Sequence, residues 1–98
     1  MNEIEELTEV FKALSAPTRL RLVKLLGEHD GALCVNALAR RLDVSQSAVS
    51  QHLRILRQTG LVKNERRGSS VHYLLDQDSL KQHRAKLRET LAAIFVDT

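Results

Sequence analysis

The segment LARRLDVSQSAVSQHLRILRQTG, Leu38 to Gly60, carries two short amphipathic runs that cannot be one helix. Apolar residues recur at three- and four-residue steps up to Leu42 and again from Val49. Between them Asp43-Val44-Ser45-Gln46-Ser47-Ala48 is a polar break with Val44 as its one large apolar residue. A break so short leaves no room for a loop, so it must join two helices at a steep angle. Ala39 is small enough to let the helices approach, Val44 plugs the turn into the core, and Val49 and Leu53 anchor the second helix. Asp43 stands where the chain needs a left-handed backbone; Gly is usual there, and Asp is among the better alternatives. Ser45 is a good N-cap for the helix that follows.

The mechanical consequence is a protruding second helix, the arrangement with which a helix-turn-helix enters the major groove of DNA. Its outward side carries Gln46, Ser47, Ser50, Gln51 and Arg54, with His52 beside them. Gln pairs with adenine, Arg with guanine, and Ser with bases or phosphate. From Arg40 to Arg67 there are seven Lys or Arg residues against Asp43 and Glu65, whereas the first nine residues hold four Glu. The net charge of +3 is therefore gathered in the centre of the chain, as a polyanion footprint would be. Arg40, Arg41, Arg57 and Lys63 are candidates for phosphate contacts, which set orientation and salt dependence without reading sequence.

The flanking sequence completes one domain over residues 1–98, a length that supports a single core. Ile4, Leu7, Val10, Phe11 and Leu14 form one helical stripe. Ser15-Ala16-Pro17-Thr18 stops that helix and starts a second, with Leu20, Leu22, Val23, Leu25 and Leu26 inward and a Gly27-to-Gly31 turn at its end. Cys34 to Leu42 is read as the third helix and Ser45 to Gly60 as the fourth, so residues 34–60 are the helix-turn-helix. The period then changes from near four to two. Leu61–Arg66 and Val71–Leu75 form a hairpin over residues 61–75 around Arg67-Gly68-Ser69-Ser70, with Arg66 and Arg67 at a basic tip. A last helix begins at about Ser79, with Leu80, Leu87, Leu91 and Ile94 or Phe95 along one side.

The fold class expected is mainly α with a small β-hairpin, in the order α-α-α-α-β-β-α. The stripes of residues 1–16 and 79–96 are longer than so small a core needs, and are expected to pair two copies as a homodimer. No apolar run approaches the ~20 residues that span a bilayer, and no signal-peptide pattern is present. The lone Cys34 excludes an internal disulfide framework and suits a reducing cytoplasm. No acid–base pair, nucleophile–base spacing or phosphate-cradling glycine loop points to an enzyme, and none points to a cofactor.

The stretches ALSAPTRLRLVKLL, CVNALARRLDVSQSAVSQHLRILRQTGLV and RRGSSVHYLL resemble the ArsR/SmtB-type bacterial winged helix-turn-helix repressors, over roughly residues 7 to 76. The resemblance implies a homodimer paired through its first and last helices. It also implies repression relieved by a ligand or chemical signal, and a double-stranded inverted-repeat operator. The positions it assigns to DNA are Gln46, Ser47, Ser50, Gln51, His52 and Arg54, with Arg66 and Arg67 in the wing. Both metal sites associated with the family are incomplete. Where its thiolate site reads ELCVCDL this chain reads ALCVNAL, so Cys34 matches the first cysteine while Asn36 replaces the second and Ala37 the acidic residue. Its other site pairs Asp-x-His with a later His-x-x-His or His-x-x-Glu. Here the last helix opens Asp76-Gln77-Asp78-Ser79 and has no histidine after His83. No metal is therefore expected, although Asp76, Asp78 and His83 are the residues from which a non-standard site would be built. Cys34 is either a lone redox or alkylation switch or a packing residue. His29 and His72 have no evident partners. The competing reading is a winged-helix module that docks protein or RNA and does not read an operator.

Overall fold

The computed structural model describes residues 2–96. Helix α1 (Glu3–Leu14) begins where the Asn2 side chain accepts the Glu5 backbone N–H at 2.8 Å. Glu3, Glu5 and Glu6 lie in its first turn, where negative charge meets the positive end of the helix dipole. Leu7, Val10 and Ala13 are buried, while Ile4 and Phe11 stay exposed. The Ser15 hydroxyl donates back to the Lys12 carbonyl at 2.7 Å, closing α1, so it does not cap the next helix as expected. Helix α2 (Pro17–Glu28) starts instead on Pro17, with Ala16 extended before it and no side-chain cap. The missing N–H of proline costs nothing in a first turn.

Leu22 and Leu26, one turn apart, are the buried residues of α2. They fix the inward direction, and Leu20, expected inside, is 53% exposed. Gly27 lies within the last turn of α2; the helix ends on His29 in an extended conformation and has no glycine cap. The chain then forms a two-residue strand β1 (Leu33–Cys34), which the periodicity of the sequence does not reveal. Cys34 belongs to this strand, and the third helix, α3, runs Val35–Leu42. Helix α4 is Gln46–Gln58, β2 Val62–Arg67, β3 Ser70–Leu75 and α5 Gln77–Ile94.

The sheet is three-stranded and antiparallel in the order β1-β3-β2, one strand more than the hairpin alone. Its register pairs Leu33 with Tyr73, Cys34 with His72, and Val62 through Arg67 with Leu75 through Ser70. The turn is tighter than expected: Arg67 and Ser70 are the closing pair, leaving only Gly68-Ser69 between the strands. Gly68 has φ 61, a value that suits the first central position of a two-residue hairpin. Helix α5 starts two residues before Ser79 because the Asp76 side chain accepts the Ser79 N–H at 3.1 Å. The Asp76 N–H in turn donates to the Leu61 carbonyl, tying the start of α5 to the turn between α4 and β2.

Leu22, Leu38, Val49, Leu53 and Leu56 are fully excluded from solvent and form the centre of the core with Leu26, Leu33, Leu61 and Val62. Burial of each such side chain contributes about 1.5–3 kcal/mol. By contrast α5 buries no residue completely. Leu80 and Leu87 pack on the core, but Leu91, Ile94, Phe95 and Val96 are exposed.

Candidate nucleic-acid interface

The bend between α3 and α4 is a backbone construction. Asp43 has φ 54 and ψ 48, the left-handed region anticipated at this position. Its N–H donates to the Arg40 carbonyl at 3.4 Å, and the Val44 N–H to the Ala39 carbonyl at 3.1 Å. These two bonds form a Schellman motif, which satisfies the last carbonyls of a helix while reversing the chain. Val44 is half-buried against the core beside Ala39, which is 7% exposed. Ser45 then caps α4, its hydroxyl accepting the Ala48 N–H at 3.1 Å.

With Val49, Leu53 and Leu56 inward, the opposite side of α4 must face water. Gln46, Ser47, Ser50, Gln51 and Arg54 are all exposed, as are Arg57 and Gln58, the last not singled out by the sequence pattern. No acidic residue occupies the first turn of α4, unlike that of α1. Its N-terminal N–H groups are thus electrostatically suited to an anion. Gln46 shares one open depression of about 230 Å³ with Cys34, Asn36, Ser70 and Val71, so the start of α4 and the turn end of β3 border the same concave surface.

The wing residues are not equivalent. Both Arg66 and Arg67 are exposed. Arg67 Nε donates to Glu65 Oε1 at 2.9 Å and its second terminal nitrogen reaches the same oxygen. Arg66 makes no ion pair among the described residues. Arg40, Arg41 and Lys63 are exposed as expected. His52 stands apart from the polar face. It is half-buried, with Nδ1 3.3 Å from an Arg19 guanidinium nitrogen. Arg19, in the first turn of α2, was not identified from sequence, because no local pattern connects it with a residue on α4.

Residues 16–64 match the model of the arsR family of bacterial regulatory proteins. The chain belongs to that family. It is 38% identical to an uncharacterized HTH-type transcriptional regulator of Methanocaldococcus jannaschii, over 84% of this chain and 91% of that one. It is 45% identical to the transcriptional repressor SmtB homolog of Synechocystis sp., over 76% of this chain and 55% of that protein. The chain thus spans nearly all of the first relative but little more than half of the second. A solved homodimeric winged helix-turn-helix DNA-binding domain from Mycobacterium bovis, a possible ArsR-family transcriptional regulator, superposes with a TM-score of 0.72 at 25% identity. The match covers 96% of this chain and 84% of that domain. As an arsR-family chain, this is a winged-helix protein of the DNA-binding transcriptional-regulator class.

Among the described residues no three His, Cys, Asp or Glu side chains come together to hold a metal ion. Cys34 is a free, half-buried thiol. It sits opposite His72 in the ladder, and His72 lies opposite Glu65, so the three form one row across the sheet. The row supplies one soft ligand per subunit, fewer than a soft-metal site wants. Asp76 is engaged as the cap of α5, and His83 lies in a groove with Glu6, Glu9, Gln58 and Gln82, away from the thiol. The residues present do not fit either metal site of the family resemblance. No helix among the described residues is long and apolar enough to cross a membrane.

Proposed function

We propose that the chain is a homodimeric, sequence-specific transcriptional repressor of the cytoplasm that binds an inverted-repeat operator. Gln46, Ser47, Ser50, Gln51 and Arg54 read the major groove, and Arg66 and Arg67 approach the neighbouring backbone from the wing. The carrying observation is the uncovered polar face of α4, held outward by a buried Val49–Leu53–Leu56 anchor and flanked by a basic hairpin. Bidentate pairs from Gln and Arg to base edges supply discrimination. Arg40, Arg41, Arg57 and Lys63 supply sequence-independent attraction to phosphate.

Dimerisation follows from the apolar surface that the single subunit leaves open. Ile4 and Phe11 on α1, with Leu91, Ile94, Phe95 and Val96 at the end of α5, are exposed. The two helices are already neighbours, joined by Lys86 and Glu3 at 3.6 Å. Burying these side chains against a second copy removes a patch that water disfavours and doubles the recognition helix. Two such helices meet successive major grooves about 34–36 Å apart, so the operator is an inverted repeat. Binding of the full chain to inverted repeats from its own promoter, against scrambled duplex over a range of salt, tests this reading. Equal affinity for both duplexes at every salt concentration would overturn it.

A further inference from the structure

Arg19 bonds to two different helices. Its Nε donates to the carbonyl of Ala13 at 2.6 Å, and a terminal nitrogen lies 3.3 Å from Nδ1 of His52. Ala13 is in the last turn of α1, where carbonyls have no partner within the helix. His52 is in the middle of α4, on the border between its buried anchor and its polar face. The side chain therefore spans from the proposed dimerisation helix to the proposed recognition helix, and both bonds are part-buried. A guanidinium has donors only, so the second bond requires Nδ1 of His52 to accept, leaving the ring proton on Nε2.

We propose that Arg19 is a positioning residue: held by Ala13 and His52, it locks α4 to the end of α1 and so sets the separation of the two recognition helices in the dimer. The inference rests on the operator-binding reading above and goes beyond it by naming what fixes the spacing. The apolar anchors of α4 hold it on the core, but apolar packing is non-directional and permits sliding and rotation. A planar fork with two fixed donor directions removes that freedom, and lysine, a single point charge on a flexible stem, cannot reproduce it. A displacement of one base pair moves a half-site by about 3.4 Å and rotates it by about a tenth of a turn. Spacing preference is therefore a sensitive readout of how firmly α4 is held.

The test uses the full-length dimer and three variants: Arg19→Lys, His52→Leu and the double variant, each checked for helical content and dimer formation. Affinity is measured for the operator, for operators with one base pair added or removed between half-sites, and for unrelated duplex. The wild type should prefer the natural spacing by at least tenfold. Arg19→Lys should lose most of that preference while keeping affinity for unrelated duplex within about twofold, since the charge is retained. The double variant should be no worse than the poorer single one, because the two residues act as one link. If His52 instead touched a base, its replacement would lower affinity equally at all spacings, so a fall in spacing preference itself identifies positioning. Should Arg19→Lys not fold, His52→Leu on the border of α4 carries the test alone. Variants that fold and keep the wild-type spacing preference would overturn the proposal. So would losses that multiply in the double variant. A wild type indifferent to operator sequence would instead overturn the operator-binding reading.

Discussion

The Val44 N–H donates to the Ala39 carbonyl at 3.1 Å, and one helix later Leu61 makes the same bond to Leu56 at 3.0 Å. Both helices of the reading unit thus end in the same six-residue closure, with Asp43 (φ 54) in the left-handed position of the first and Gly60 (φ 78) in that of the second. In each, an apolar residue after the turn is delivered back onto the helix it leaves. Leu61 is buried on Leu56, and Val44 packs beside Ala39.

The left-handed Asp43 makes the first bend tolerant in one direction only. A side chain in this region costs roughly 1–2 kcal/mol, less for Asp than for most residues. Asp43→Gly should leave thermal stability unchanged or raise it by up to about 1 kcal/mol, whereas Asp43→Val should lower it by about 1–2 kcal/mol, or roughly 4–8 °C per kcal/mol. Circular-dichroism melts decide this; a valine variant that melts with the wild type would contradict the backbone assignment.

Gly60 is constrained more severely than its conformation alone implies. A Cβ there would lie 2.7 Å from the Ser79 hydroxyl on α5. Gly60→Ala should lose about 2 kcal/mol or more in urea denaturation, combining left-handed strain with displacement of Ser79. Adding Ser79→Ala should recover part of the loss and leave the strain. No recovery would place the whole cost in the backbone.

Four of the interface arginines divide by role. Gln51→Ala or Arg54→Ala should cost about 1–3 kcal/mol on operator and little on unrelated duplex, reducing discrimination. Arg66→Ala should weaken both duplexes alike and lower the salt slope by about 1, because it removes one phosphate partner. Arg67→Ala should lower the slope by less, since Glu65 already shares its charge. Equal slopes for the two wing variants would argue against that distinction. Arg57→Ala, exposed at the far end of α4, should behave like Arg66→Ala.

The exposed end of α5 predicts a separation between folding and assembly. Ile94 is 67% exposed in the subunit, so Ile94→Glu disturbs little inside it. Sedimentation should show the variant shifted toward monomer, with operator affinity lowered by tenfold or more and secondary structure retained. A variant that remains fully dimeric would remove this part of α5 from the interface.

Cys34→Ser should bind operator as the wild type does, because serine nearly keeps the size of the thiol in the depression that Cys34 shares with Gln46. A tenfold loss of operator affinity in gel shift would show that Cys34 supports the reading surface.

The helices, the Asp43 bend, the Ser45 cap and the α4 anchors were legible in the amino-acid order because each depends on residues within a turn or two of one another. Apolar period, capping and left-handed preference are local physics. What the sequence could not specify depends on partners far along the chain. Cys34 continues the helical pattern of α3, yet pairing with His72 draws it into a strand. Leu20 fits an inward stripe until Leu22 and Leu26 fix the orientation of α2. Asp76 begins α5 two residues early, since its N–H is held by Leu61 while its carboxylate caps the helix. Arg19 reads as one more basic residue after a proline, and only packing brings it between Ala13 and His52. Short-range patterns determined the elements and the chemistry of the exposed helix; long-range packing decided where each element ends and which surface side chains are bound to one another.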